Sequence, residues 1–333
     1  MIQQEHVMNK NVVYVGIDVG CKELWAAMKG FKPRKFEHTK QGIRSLYAWA
    51  RRKDNKASLF FCMEATGVYS TSVASCLIVQ TKAIVSIVNP MQIAAFAKVL
   101  LRRCKTDSVD AQVICAFAES LKPRVWSPDP EPVRTLYELV NQADAIRASL
   151  GQWQNRHHAQ RFIADLPDAV RKSQRAIERS LTTQLKRIET AIANLCASDS
   201  LLAQQVALLC TIPGVANNSA AKLLAYGRDW LTNRNPKALT AHAGLAPHHK
   251  LSGTSVRGKS RIDKHGDHRL RRTLYMPALV GIVHNPALKT FYQHLLKQGK
   301  PKMVALVACM RKLLMIIRAM LTKKEPFNPI YSH

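Results

Sequence analysis

The stretch Val12-Val-Tyr-Val-Gly-Ile-Asp-Val-Gly20 decides how the first third of the chain is read. Val12 to Ile17 is a β-branched, apolar run interrupted by Gly16, and it delivers a single acid, Asp18, at its polar edge. That pattern is a buried strand with one charge at its tip. A second run, Ser58 to Met63, does the same for Glu64, and Ala65-Thr66-Gly67 then turns the chain toward a new helix. Asp107 and Asp110 follow in Lys105-Thr-Asp-Ser-Val-Asp-Ala111. There Thr106 is a good N-cap, and Val109, Val113, Ile114 and Phe117 form an inward helical face. The i,i+3 spacing of the two aspartates places both on one side of that helix.

Carboxylates gathered in one site raise each other's pKa, and a divalent cation removes the conflict. Mg2+ is the expected ion, with Mn2+ as its substitute, and Asp18, Glu64, Asp107 and Asp110 are the expected ligands. Two such ions side by side activate a nucleophile and stabilise the leaving oxygen in phosphoryl transfer, so the implied substrate is a phosphodiester. Each acid taken singly also reads as an ordinary cap or a surface partner for Lys and Arg. The ordered set of four points to a metal-dependent nuclease-type site.

Charge agrees with that substrate. The 333-residue chain carries 50 Lys and Arg against 22 Asp and Glu, a formal net charge of +28. Such an excess favours a polyanionic partner, nucleic acid above all, with strong salt dependence. A membrane surface would attract the same charge, but no charge-free apolar run reaches the ~20 residues that span a bilayer. No signal peptide opens the chain. The eight cysteines, Cys21, Cys62, Cys76, Cys104, Cys115, Cys196, Cys210 and Cys309, lack any C-x-x-C and lie mostly in apolar runs. They read as reduced core residues of a cytosolic protein, with neither a zinc site nor a disulfide frame.

Residues 1–121 alternate short predicted strands (12–17, 24–29, 58–63, 83–88) with predicted helices (41–52, 68–80, 91–101, 108–120). This alternation predicts an α/β domain with a mixed sheet. Residues 122–132 are a proline-dense linker that cannot continue a helix. From 133 to 209 the chain is nearly free of Gly and β signals, which predicts a long helical hairpin. Ile177, Leu181, Leu185, Ile188, Ile192 and Leu195 keep spacings of three and four, a coiled-coil-like seam that serves either a helical core or a partner subunit.

The region 210–333 opens with Cys210-Thr-Ile-Pro-Gly-Val-Ala216 between two helices. Backbone N–H groups at such a hairpin, that of Gly214 included, suit a phosphate, although a plain tight turn has the same sequence. The loop from His248 to Gly266 combines Ser252, Ser255 and Ser260 with Lys250, Arg257, Lys259, Arg261 and Lys264. Arg269, Arg271 and Arg272 follow, and this region is the expected phosphate-gripping face.

Several motifs occur in one order: Gly16-Ile-Asp-Val-Gly20, Glu64-Ala-Thr-Gly-Val-Tyr69, the Asp107 and Asp110 block, Ile212-Pro-Gly-Val215, and Ala243-Gly-Leu-Ala-Pro247. Ser252-Gly253 and the basic block Arg261-Ile-Asp-Lys-His-Gly266 complete the series. Across nearly its whole length the chain resembles the DEDD transposases of bridge-RNA-guided insertion sequences, relatives of Piv-type DNA invertases. The resemblance implies a fold that is α/β and then mostly α. A RuvC-like, RNase H-like mixed-sheet domain would span 1–121, followed by the linker 122–132 and a helical coiled-coil connector over 133–209. A mainly helical transposase domain with a helix-hairpin-helix-like motif would span 210–333. The resemblance also implies a recombinase that uses a noncoding bridge RNA to specify double-stranded target and donor DNA.

By the same resemblance a serine of the carboxyl-terminal domain attacks a DNA phosphate while the acids of another subunit hold Mg2+, and exchange passes through a Holliday junction. The family serine precedes a glycine, which maps to Ser252, with Ser255 as the rival. A homo-oligomer follows, a dimer or a tetramer on two DNAs, in the bacterial cytoplasm and on the nucleoid when DNA-bound. Where relatives carry Ser in the Ile-Ser-Lys block, this chain has Asp263.

Other readings use fewer of these residues. A hydrolytic RuvC-like junction endonuclease needs only the four acids and leaves the serine loop without a task. A tyrosine recombinase built on His268, Arg271 and Tyr275 or Tyr292 leaves the acids idle. A non-catalytic nucleic-acid-binding protein explains the charge but not the acids. Trp126, Trp153, Trp230, Tyr275 and Tyr292 suit either stacking on unpaired bases or core packing. Adjacent residues point apart on a helix, so His157-His158 and His248-His249 are not expected to share a metal, and solvated phosphate contacts are the simpler account.

Overall fold

A computed structural model of the protein describes residues 12–53, 57–101, 106–248, 251–252, 256–257, 261–263 and 265–329. The chain divides into two compact units, Met1–Pro128 and Asp129–His333.

The first unit runs β1 (Val12–Val19), β2 (Glu23–Met28), β3 (Arg34–Glu37), α1 (Lys40–Lys53), β4 (Ser58–Glu64), α2 (Val68–Thr81), β5 (Ile84–Val88), α3 (Pro90–Val99) and α4 (Asp107–Leu121). The five strands form one sheet in the order β3-β2-β1-β4-β5. β1 to β3 are antiparallel neighbours, whereas β1, β4 and β5 run parallel, so the sheet is mixed. Central β1 and β4 are covered on both faces, which is why they read as continuous apolar runs. Val15, Ile17, Leu59, Phe61 and Met63 pack with Ile43, Leu46, Val73 and Leu77 of α1 and α2. Phe60 and Cys62 pack on the opposite face with Ile93, Val113, Ile114 and Phe117 of α3 and α4.

β3 is absent from the expectation, and its composition explains why. Arg34-Lys-Phe-Glu37 holds one buried apolar residue, Phe36, among exposed charges. Charged side chains suit a sheet edge because they discourage pairing with another chain. At the opposite edge, the proline-dense segment is fastened to β5: Trp126 N–H donates to Val85 O at 2.7 Å, and Ser86 Oγ donates to Arg124 O at 2.8 Å. Trp126 is therefore a packing residue of this unit.

The second unit opens with α5 (Glu131–Gln160) and α6 (Asp168–Ser198), an antiparallel pair. It continues with α7 (Ser200–Cys210), α8 (Asn217–Gly227), α9 (Trp230–Asn233), α10 (Pro236–His242), α11 (His268–His284), α12 (Pro286–Lys297) and α13 (Lys302–Lys323). Between α10 and α11, β6 (Pro247–His248) pairs with β9 (Arg261–Ile262), and β7 (Leu251–Ser252) pairs with β8 (Val256–Arg257).

One core unites this unit: Leu136 and Val140 of α5, Ile192 of α6, Leu209 of α7, Leu223 of α8, Leu274 of α11 and Leu313 of α13 all belong to it. The segments 133–209 and 210–333 thus pack together. The seam residues Leu185, Ile188, Ile192 and Leu195 are occupied within the chain, against that core. Farther along the helix pair, Arg147 meets Glu189 at 2.6 Å, His157 meets Glu178 at 3.2 Å, and Gln174 donates to Gln160. The seven described cysteines are free thiols. Among the described residues no single helix is long and apolar enough to cross a membrane.

Gly16 controls how helix meets sheet in the first unit. A Cβ built there would lie 2.2 Å from Ala111 O and 2.3 Å from Cys115 N, both backbone atoms of α4. Only a residue without a side chain lets the helix rest directly on β1. Gly16→Val should lower stability by about 1–3 kcal/mol through this overpacking. Thermal melts check the cost, and an unchanged melting temperature would contradict the contact.

A candidate active site of four carboxylates

Asp18 stands near the end of β1 and Glu64 is the last residue of β4. The two strands pair in parallel as far as Ile17 opposite Met63, so Asp18 and Glu64 come one step later at the same level. Residues of equal register share a face of the sheet, and Asp18 shares that of Gly16, two residues before it. That is the face α4 covers.

α4 runs antiparallel to β1: Cys115 Sγ donates to Tyr14 O at 3.3 Å, while Ala111 lies over Gly16. Two residues along a strand advance about 6.6 Å. Four residues back along a helix retreat about 6 Å. Asp107, one turn before Ala111, therefore comes level with Asp18, and Asp110 lies i,i+3 from it. The helix start is fixed by Thr106, whose Oγ1 accepts from Val109 N–H at 3.4 Å. Asp18, Glu64 and Asp110 are half-buried and Asp107 is exposed.

The electrostatics report the same convergence. Asp18 is pushed up to about 6, first by burial and then by the charges of Asp107, Asp110 and Glu64, against a lowering hydrogen bond from the Val19 backbone. All three other acids thus act on one carboxyl. Among the described residues, no three acidic, His or Cys side chains close into a finished cage for an ion. The two observations are compatible, because like charges without a counter-ion hold apart. Thr66 Oγ1, two residues past Glu64, is buried with no hydrogen-bond partner. A set of hard oxygen donors containing a carboxyl that resists ionisation fits a divalent cation.

His38, which no sequence motif includes, and Tyr69, the last residue of the Glu64 motif, border these strand ends. His38 Nδ1 bonds Gly20 O at 2.8 Å, and its ring meets the edge of Tyr69 at 6.0 Å. A His after an edge strand and a Tyr after a glycine turn give no local signal of proximity, since their meeting depends on the sheet order.

The expected residues of the second unit fall in several environments. Ser252 lies in β7, its backbone opposite Val256. Arg257 and Arg261 belong to β8 and β9. Lys250, Gly253, Ser255, Lys259, Ser260 and Lys264 lie outside the described residues. Asp263 Oδ1 is in hydrogen-bond contact with Nδ1 of His265. Gly214 has φ +99°, and a Cβ there would meet Pro277 O at 2.8 Å, so the hairpin uses this glycine to pack on α11. Arg269 is engaged by Asp267 and Asn141 and lies over the rings of Tyr137 and Tyr226 at 5.3 and 5.2 Å. Arg271 donates to Ala243 O at 3.3 Å, and Arg272 is exposed. Trp230 stacks on His242 at 4.0 Å, Tyr292 packs against the core, and Tyr275 is exposed.

The raised value of Asp18 has a signed consequence. In the metal-free protein its ionised form costs stability above about pH 6, and the cost fades as pH falls toward the ordinary 3.8. Asp18→Asn should therefore melt higher than the parent at pH 7.5 in EDTA, with the gap closing toward pH 4. Metal must displace that proton, so divalent-cation affinity should fall about tenfold per pH unit below 6. Calorimetric titration of the cation at several pH values measures this, and a pH-independent affinity would contradict the assignment.

Comparison with known proteins gives the family of the chain. Residues 15–160 match the DEDD transposase domain of IS110 elements, and residues 206–293 match the transposase family of IS116, IS110 and IS902 elements. The pilin gene-inverting protein of Moraxella bovis is 31% identical over 320 residues, covering 95% of this chain and 97% of that protein. Its counterpart from Moraxella lacunata is 30% identical over the same length and coverage. A 43.6 kDa protein of insertion element IS110 from Streptomyces coelicolor is 32% identical over 114 residues, 34% of this chain and 28% of that protein. Asp18, Glu64, Asp107 and Asp110 all lie within the matched residues 15–160, and a DEDD transposase domain suggests use of a divalent metal. With similarity running through both units, the chain belongs to the IS110-type family of DEDD transposases and DNA invertases and is a recombinase acting on DNA.

Proposed function

We propose that this recombinase is guided by a noncoding bridge RNA of its own element and joins target to donor DNA through a covalent serine intermediate. The observation that carries the phosphoryl-transfer part is the convergence of Glu64, Asp107 and Asp110 on Asp18. These four side chains would hold Mg2+, or Mn2+ in its place. The bound ion supplies charge neutralisation at the scissile phosphate and activation of a nucleophile.

Ser252 is the proposed nucleophile. Its Oγ forms a bond to phosphorus as the bond to one deoxyribose oxygen breaks; the serine loses its proton and the departing oxygen gains one. Attack by the hydroxyl of another strand reverses these steps, frees Ser252 and leaves a Holliday junction. A serine hydroxyl is a weak nucleophile that needs an activating group. The acidic site of a second subunit is proposed to meet the serine, which makes the working unit a dimer at least and a tetramer on two DNAs. Lys250, Arg257, Lys259, Arg261, Lys264, Arg271 and Arg272 would grip phosphates, consistent with the excess of 50 Lys and Arg over 22 acids. The pilin gene-inverting relatives, by name, invert a gene, a rearrangement that requires strands to be rejoined as well as cut.

The test looks for the bond. Protein, the RNA of its own element, matching DNA and Mg2+ are mixed, denatured and digested, and peptides still attached to nucleotide are mapped by mass. An adduct on Ser252 is expected, and Ser252→Ala should remove both adduct and exchange. An adduct on Ser255 would move the nucleophile within the same loop. Cleaved DNA without any adduct would replace this reading with hydrolysis.

A further inference from the structure

A cleft of about 810 Å3 opens between α5, α8, α11 and α13 of the second unit. Lys222, Arg271 and Arg272 line it beside the polar Asn218 and Ser219. Asp144 is the one acid among its lining residues, and it is already consumed. Lys222 Nζ donates to it at 2.5 Å, Tyr226 OH at 2.9 Å and Arg147 at 2.9 Å. Burial pushes the Asp144 carboxyl up, but the bonds from Lys222 and Tyr226 and the nearby cations outweigh it and hold the group below its ordinary value. The wall therefore keeps a positive surplus, with Arg272 exposed at its edge.

An apolar strip adjoins that surplus. Tyr275 and Met276 line the cleft and are 36% and 57% exposed, and the same helix continues with Leu279 at 37%, Val280 at 38% and Val283 at 56%. Exposed apolar side chains at i, i+4 and i+7 on one helix are an unusual surface for a protein of formal charge +28. Cations beside an aromatic and apolar strip match one ligand chemistry in both parts. A duplex turns phosphates outward and hides its base faces, so it covers the cations and leaves the strip bare. An unpaired strand offers phosphates and base faces together.

We infer that this cleft and strip bind an unpaired nucleic-acid strand, with phosphates at Arg272 and Arg271 and bases on Tyr275 and Met276. The inference requires only that nucleic acid is the substrate. It is independent of serine chemistry and of RNA guidance, so its test runs without turnover. Unpaired DNA exposed during exchange and an unpaired stretch of RNA share this chemistry, and the probes separate them.

The experiment measures fluorescence anisotropy of the full chain in EDTA with a labelled oligothymidine, the matching oligouridine and a duplex of equal length. Tyr275→Ala should weaken binding of unpaired strands about tenfold, from the loss of one stacked base. Arg272→Ala should lower the salt dependence of that binding by about one phosphate contact. Both residues are exposed, so circular dichroism and melting of the variants should match the parent. Duplex affinity should change less than about twofold for Tyr275→Ala, since that side chain reads base faces. Loss confined to the DNA probe assigns a displaced DNA strand, and loss confined to the RNA probe assigns an RNA segment. For Tyr275→Ala, equal loss on duplex and unpaired probes, or no loss on any probe, would overturn the inference.

Discussion

The close approach of α4 to Gly16 of β1 is the contact on which the candidate site depends. Asp18 and Asp107 are far apart in sequence, and neither strand pairing nor helix capping alone would bring them together. A helix lying at ordinary distance over a side chain would lift its first turn away from the strand ends. With no Cβ at Gly16, the backbone of Ala111 and Cys115 rests on the sheet, and the antiparallel course of α4 then aims its acidic first turn at Asp18. Parallel pairing of β1 with β4 adds Glu64 at the same level.

The site is thereby built against its own electrostatics. Burial and three like charges push the Asp18 carboxyl up to about 6 in a protein whose formal charge is +28. A fold that gathers acids at this cost to stability gains from it only when a cation joins them, and this ties metal affinity to pH. The second unit treats its acids in the opposite way. Asp144 is answered by Lys222, Arg147 and Tyr226, and Asp267 by Arg269 and by the N–H groups of Arg269 and Leu270, so their charges are spent on packing helices together. In the first unit, like charges converge on Asp18 and raise its carboxyl, and chemistry is expected there.

What the sequence showed follows the range of the interactions. β1 and β4 were legible because burial on both faces forces an apolar run, and Asp18 and Glu64 stand out as the charges that end those runs. α4 was legible from Thr106 and its periodic apolar face. Gly16 was visible as a break, but its purpose was not, because the backbone it touches comes from α4, much later in the chain. β3 was missed since a charged edge strand needs only Phe36 to hold it. The stripe from Ile177 to Leu195 reads alike whether its partner helix belongs to the same chain or to another, and the structure supplies α5 and the core. Arg269, expected among the phosphate-gripping residues, also bonds Asn141 and lies over Tyr137 and Tyr226, contacts from distant segments that no local pattern shows. The loop from His248 to Gly266 shows no periodic pattern, because β7 and β8, which pair Ser252 with Val256, are too short to leave one.

Asp18, Glu64, Asp107 and Asp110 are proposed to form one metal-binding site. Anomalous diffraction from crystals grown with Mn2+ tests it most directly, because manganese is located without reference to activity. A peak is expected within coordination distance, about 2.0–2.2 Å, of a carboxylate oxygen of Asp18 and of at least one of the other three acids. Manganese bound elsewhere while these carboxylates stay empty at saturating concentration would contradict it.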